Sequence, residues 1–218
     1  MAQVPKPSDI SNVFAMNDPQ HMLTKLYWEV HQLMDAMSAW TKTTSFPEPI
    51  FYASNAAITA WHISDWLWQS RPETREKLKA KFKFECDDKI PKGLHDGLRL
   101  FQDAVATDSR TLEICRSIAN GSKHMRTMKT DDSFSAAATW HEVVEPVGRL
   151  KMGQYYMRLT ITDGGKEQDA IHFFIDAAGY WEKLLIAEEL MSGDVSIPYK
   201  VIAPDHPKTQ PYYHWYKN

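Results

Sequence analysis

The stretch from Pro49 to Gln69, PIFYASNAAITAWHISDWLWQ, constrains this chain more than any other. It has the length and freedom from internal breakers of a helix, and its apolar residues cover most of the circumference. A helix on a protein surface keeps a polar face toward water, so one that is apolar nearly all round is enclosed by protein. The rest of the chain must supply the elements that enclose it. With 218 residues there is enough chain to do so, because a domain of this size buries about 70% of the surface its unfolded form exposes.

Helices are the natural enclosure. From Pro19 to about Lys42, Leu23, Leu26, Val30, Leu33, Met34, Met37 and Trp40 recur at intervals of three and four, which marks one helical face. Asp18 is placed to cap this helix, with Pro19 in its first turn. Thr43 to Pro49 breaks the pattern with two prolines and a run of Ser and Thr. Between Pro91 and Ala106, Leu94, Leu98, Leu100, Phe101 and Val105 form another stripe, and Asp108 or Ser109 then caps a helix running to about Met128. Arg71 to Lys83 is ambiguous. Pro72 and the early glutamates suit a helix start, while Leu78, Ala80, Phe82 and Phe84 alternate with lysines as in a strand.

After Asp131 and Asp132 the texture turns to β-type alternation. Residues 154–162 and 169–175 are β-rich runs on either side of Asp163-Gly164-Gly165, the chemistry of a hairpin turn. Ala177 to Met191 returns to helix, with Asp176 as the expected cap. The expected fold is mainly α: an N-terminal antiparallel helical bundle followed by a small antiparallel sheet with a packed helix, an α+β appendage. The divisions are an N-terminal segment over 1–18, the bundle over 19–130, the sheet and helix over 131–191, and a tail over 192–218. That tail, with Pro198, Pro204, Pro207 and Pro211, is no regular helix. Its Tyr199, Tyr212, Tyr213, Trp215 and Tyr216 either dock on the body or engage a partner.

The charge balance narrows the partners. Lys and Arg total 25 against 28 Asp and Glu, a net charge of −3, so there is no general attraction for phosphate backbones or anionic lipid. Any RNA contact must use a local patch, for which Arg71, Arg75, Lys77, Lys79, Lys81 and Lys83 are the candidates. The N-terminus lacks a basic stretch leading into an apolar run, and nothing approaches the ~20 apolar residues of a membrane span. Together with two solitary cysteines, Cys86 and Cys115, this points to a reducing cytoplasm. No phosphate loop, dinucleotide glycine fingerprint, HExxH pair or paired CxxC is present, so no cofactor is indicated.

Two polar groups interrupt helices that are otherwise apolar. In the enclosed helix, Asn55, Thr59 and His62 follow one face, with Asp65 one turn on, and buried polar groups there need partners. A carboxylate beside an imidazole fixes its tautomer and raises its basicity, which suits acid/base work, metal ligation or a structural tie between helices. In CRSIANGSKHMR, Arg116, Asn120 and His124 rise at four-residue steps with Lys123 beside them. This ladder offers a base, an orienting amide and two cations able to stabilise developing anionic charge. It suits equally a solvated helix face near a C-terminus. Gly121 permits close approach by a backbone or a substrate.

At Asn120-Gly-Ser-Lys-His124 the sequence resembles the HEPN superfamily (higher eukaryotes and prokaryotes nucleotide-binding), helical bundles with an Arg-Asn-x-x-x-His signature near the start of a late helix. The signature arginine is replaced by Ala119, and Arg116 stands eight residues before His124. The resemblance covers about the first three-fifths of the chain. It implies that in an active member His124 would act without metal on an RNA 2′-hydroxyl, with Asn120 its companion and Lys123 or Arg116 standing for the missing cation. It also implies sites shared between two subunits, and inactive relatives that serve in binding or assembly.

Three functions follow as expectations. The first is an RNA-directed nuclease or nuclease-like protein of a defence or toxin setting, centred on His124 and including Asn120, Lys123, Arg116, His62 and Asp65. The second is a non-catalytic helical interaction module engaging a protein partner or a second copy of itself, with no membrane involved. The third joins His62, Asp65 and His124 around a metal ion.

Overall fold

The computed structural model describes residues 18–39, 48–123, 133–142, 144, 151–153 and 155–191. These form six helices and three strands in the order α1 (Pro19–Ala39), α2 (Glu48–Ser70), α3 (Pro72–Phe82), α4 (Pro91–Asp108), α5 (Arg110–Lys123), β1 (Phe134–Glu142), β2 (Tyr155–Asp163), β3 (Lys166–Asp169) and α6 (Ala170–Ala187). The protein is therefore mainly helical with a small antiparallel sheet.

The apolar helix α2 lies where its composition requires. It packs against all five other helices and against β2. Ala56, Ala57 and Ala60 admit neighbours closely, while Ile63, Leu67 and Trp68 are fully buried. α1 meets it with Leu23, Leu26, Val30 and Leu33, also fully buried. The expected cap is present: the Asp18 carboxylate accepts the Gln20 backbone N–H at 2.8 Å.

The ambiguous basic run is a helix. Arg71 is extended before Pro72, and Lys83 closes α3 in the left-handed region at φ 56°. What looked like alternation is Leu78 and Phe82 one turn apart on the inner side, after which Phe84 lies 5.8 Å from Trp68. Of the two candidate caps for α5, Ser109 does the work, its hydroxyl accepting the Leu112 N–H at 3.3 Å. Asp108 accepts instead from the Tyr180 hydroxyl at 2.9 Å.

The sheet order is β1-β2-β3, antiparallel throughout. Gly164 and Gly165, at φ 54° and 82°, form the two-residue turn between β2 and β3, a conformation that favours glycine at both positions. The expected strand over 169–175 is corrected. β3 ends at Asp169, whose carboxylate accepts the Ile171 N–H at 2.9 Å and caps α6. Asp176 lies within that helix and accepts from Gln168 at 2.8 Å. The segment is so apolar that a buried helix resembles a strand; yet Ile171, Phe174, Ala178, Trp181 and Leu185, all buried, already follow the helical interval.

α6 fastens the sheet to the helices, packing on α1, α2, β2 and β3. The Trp181 indole N–H donates to the Ala60 carbonyl at 2.7 Å, and the Tyr27 hydroxyl donates to Glu182 at 2.8 Å. Met157, Leu159 and Ile161 of β2 join the same hydrophobic cluster as the helices. Among the described residues the helical layer stops short of β1, which is exposed from Ser135 to Trp140. No described helix is long and apolar enough to cross a membrane.

Candidate functional site

The polar residues of α2 are divided among different neighbours. Thr59 is buried and accepts from the Lys25 ammonium of α1, which also pairs with Glu29. Glu29 is only 3% exposed, and its Oε2 is buried without a hydrogen-bond partner. Asp65 faces α4 and accepts from the Gln102 amide at 3.2 Å, which also reaches the Ser64 hydroxyl at 3.1 Å. Asn55 is exposed and His62 half-buried. The sequence grouped Asn55, Thr59, His62 and Asp65 by their spacing; packing sends Thr59 to α1, Asp65 to α4 and Asn55 to solvent.

The α5 ladder is likewise partly committed. Arg116 pairs with Asp103 of α4 at 2.9 Å, and its guanidinium carbon lies 5.4 Å from the centroid of the Trp61 ring. A cation stacked on an indole and held by a carboxylate is a tie between α2, α4 and α5. Arg116, one of the two cations expected at the site, is engaged in that tie. Asn120 and Gly121 are exposed, and among the described residues nothing comes within 4 Å of a Cβ placed on Gly121. Among the described residues the glycine therefore accommodates no close backbone. His124 and the side chain of Lys123 lie outside the described residues, as does the aromatic tail.

Half of the basic run is engaged within the fold. Arg75 pairs with Asp88, Lys79 with Asp88 at 3.1 Å and with Glu76 at 2.6 Å, and Lys77 donates to the Glu188 carbonyl at 2.7 Å. The Arg75 hydrogen bond holds the Asp88 carboxyl below its usual value, with Lys79 adding to the effect against the opposing influence of burial. Lys79 is shifted upward, first by its hydrogen bond to Glu76. These cations latch α3 to the following loop and to the end of α6, so Arg75, Lys77 and Lys79 of the expected patch are engaged within the fold. Arg71, Lys81 and Lys83 remain exposed.

Among the described residues no group of three or more His, Cys, Asp or Glu is arranged to hold a metal ion. The grouping of His62 and Asp65 with His124 lies partly outside them.

Sequence reasoning missed two features. Arg110, at the start of α5, grips Asp163 of β2 through Nη2 at 2.6 Å, Glu113 at 2.6 Å and the Ser133 hydroxyl. It anchors the sheet to the bundle, and no local pattern in the sequence links residue 110 with residue 163. The second is an apolar groove of about 210 Å³ beneath β1, walled by Ile50 and Ala53 of α2, Ile118 of α5, Ala136 and Ala138 of β1, and Phe174 of α6. Its described lining holds no titratable side chain. Such a surface suits apolar groups; the hydroxyls in its described lining are those of Ser54, which donates to the Ile50 carbonyl at 2.8 Å, and Thr160. The available signal was the small-residue run FSAAATWHE, in which alanines replace the large apolar residues of a covered strand.

Compared with protein-family models, with curated proteins and with solved structures, the chain matches none.

Proposed function

We propose that this protein is a non-catalytic interaction module that docks a partner along β1 and the apolar groove beneath it. The observation that carries the reading is the pairing of an exposed edge strand with a groove whose described lining has no titratable group. An open edge offers backbone hydrogen bonds, and alternate side-chain sites beside it offer selectivity, the combination used in strand addition. The ties made by Arg116 and Asp65 support the same reading, since they engage residues that catalysis would need. A divergent HEPN-like bundle lacking the signature arginine suits this role.

The test is photocrosslinking in cells from a reactive amino acid placed at Ala138, with the same amino acid at exposed Glu73 as control. Adducts confined to position 138 are expected, and their absence overturns the reading.

The exposed Asn120 and the open space at Gly121 favour one further reading, a nuclease centred on His124. Metal-free incubation with RNA is expected to leave the RNA intact. Cleavage to 2′,3′-cyclic phosphate ends, abolished by His124→Ala, would replace the docking module with that nuclease.

A further inference from the structure

The two edges of the sheet differ in kind. β3 is four residues long, carries Lys166, Glu167 and Asp169, and runs directly into α6. A short, charged edge of that type resists pairing with another chain. β1 is nine residues long, its register with β2 continues without a bulge from Phe134 to Glu142, and it contains neither lysine nor proline. Its only carboxylate is Glu142 at the end. Among the described residues no strand lies on its outer side. An edge of this length without protective features is a template for strand addition.

The side chains indicate what is added. Ala136, Ala138 and Trp140 stand opposite Ile161, Leu159 and Met157, so they share the face that β2 buries against the helices. On β1 the same face is exposed at Ala136, Ala138 and Trp140, the last to 42%. Antiparallel pairing of β1 with its own copy, about a two-fold axis normal to the sheet, brings same-face residues together. Centred on Ala138, the pairing matches all nine residues: Ala138 meets Ala138, Ala137 meets Thr139, Ala136 meets Trp140, Ser135 meets His141 and Phe134 meets Glu142. Each indole falls on an alanine, and no two like charges oppose each other. Both helical layers would then lie on one side of a six-stranded sheet, with the two grooves facing across the axis.

We infer that β1 is a homodimerisation strand, pairing antiparallel with β1 of a second copy in the register centred on Ala138. This rests on the reading of β1 as the docking edge and names its occupant. A closed two-fold assembly is also the commonest form of homo-oligomer.

Residue 138 is the one position that meets itself, so charge placed there tests register and partner together. The full-length protein is followed by sedimentation velocity across a concentration series. Wild type is expected to dimerise. Ala138→Glu and Ala138→Lys, each alone, set like charges opposite each other and are expected to weaken the dimer ~100-fold. Because Ala138 is exposed, both variants should keep the wild-type circular dichroism, and should melt as wild type does at concentrations where wild type is monomeric. An equimolar mixture of the two is expected to recover dimer to within about tenfold of wild type. The inference is overturned if wild type stays monomeric to the limit of solubility, if either single variant dimerises as wild type does, or if two folded variants fail to recover on mixing. Adducts from position 138 to a different protein would overturn the second copy as occupant and leave the docking reading standing. Absence of any adduct removes both.

Discussion

Arg116 binds Asp103 with one nitrogen and lies over Trp61, and both contacts depend on a flat, delocalised cation. Arg116→Ala is therefore expected to cost about 1 kcal/mol in urea denaturation, and Arg116→Lys to restore only part of it, because an ammonium cannot stack in the same way. Lys25 and Glu29 permit a sharper test, since Glu29 is buried and relies on Lys25 for its charge partner. Lys25→Met is expected to destabilise by about 3 kcal/mol by leaving a buried carboxylate uncompensated, whereas Glu29→Gln should cost about 1 kcal/mol. Equal urea midpoints for the two variants would show that the charge on Glu29 carries no penalty. Sequence alone identified Thr59 as a polar group in need of a partner. It did not identify Lys25, because the partner lies 34 positions away and a lysine between apolar helix positions reads as a solvated one.

Among the elements, those with one apolar and one polar face were legible. α1 and α4 were placed by their three-and-four spacing, α5 by its candidate caps Asp108 and Ser109, and α2 by its lack of a polar side. The α6 start was misplaced by seven residues because Ala170 to Ile175 has almost no polar residue to reveal a period. The position of the cap is directly testable. Asp169→Ala is expected to lose about 1 kcal/mol and Asp176→Ala less than about 0.5 kcal/mol, the reverse order being expected had Asp176 opened the helix. The latch on α3 gives a pH dependence of known sign. The Asp88 carboxyl titrates lower folded than unfolded, so its contribution is complete above the ordinary value of about 3.9 and is lost as pH falls through the folded value. Urea midpoints measured from pH 7 to pH 3 should fall less steeply in Asp88→Asn than in wild type.

At the scale of the molecule, the two thiols report on different depths of one core. Cys115 is fully buried and burial pushes its thiol upward, while Cys86 is only half-buried and is raised more modestly. A thiol reagent at mildly alkaline pH is expected to label Cys86 first, with Cys115 labelled at the rate of global unfolding. Comparable rates would place a local opening beside α5. The composite site was not readable at this scale: spacing along α2 and α5 fixed which residues share a helix face, but not which neighbouring helix each face would meet. The same holds for α2 and α6, whose bond between Ala60 and Trp181 joins residues 121 positions apart. On the ribosome α2 emerges long before the helix that covers it. At roughly 5 to 20 residues per second, the interval is on the order of ten seconds, during which a helix apolar around most of its circumference lacks its lid and depends on holding chaperones or the exit surface to stay in solution.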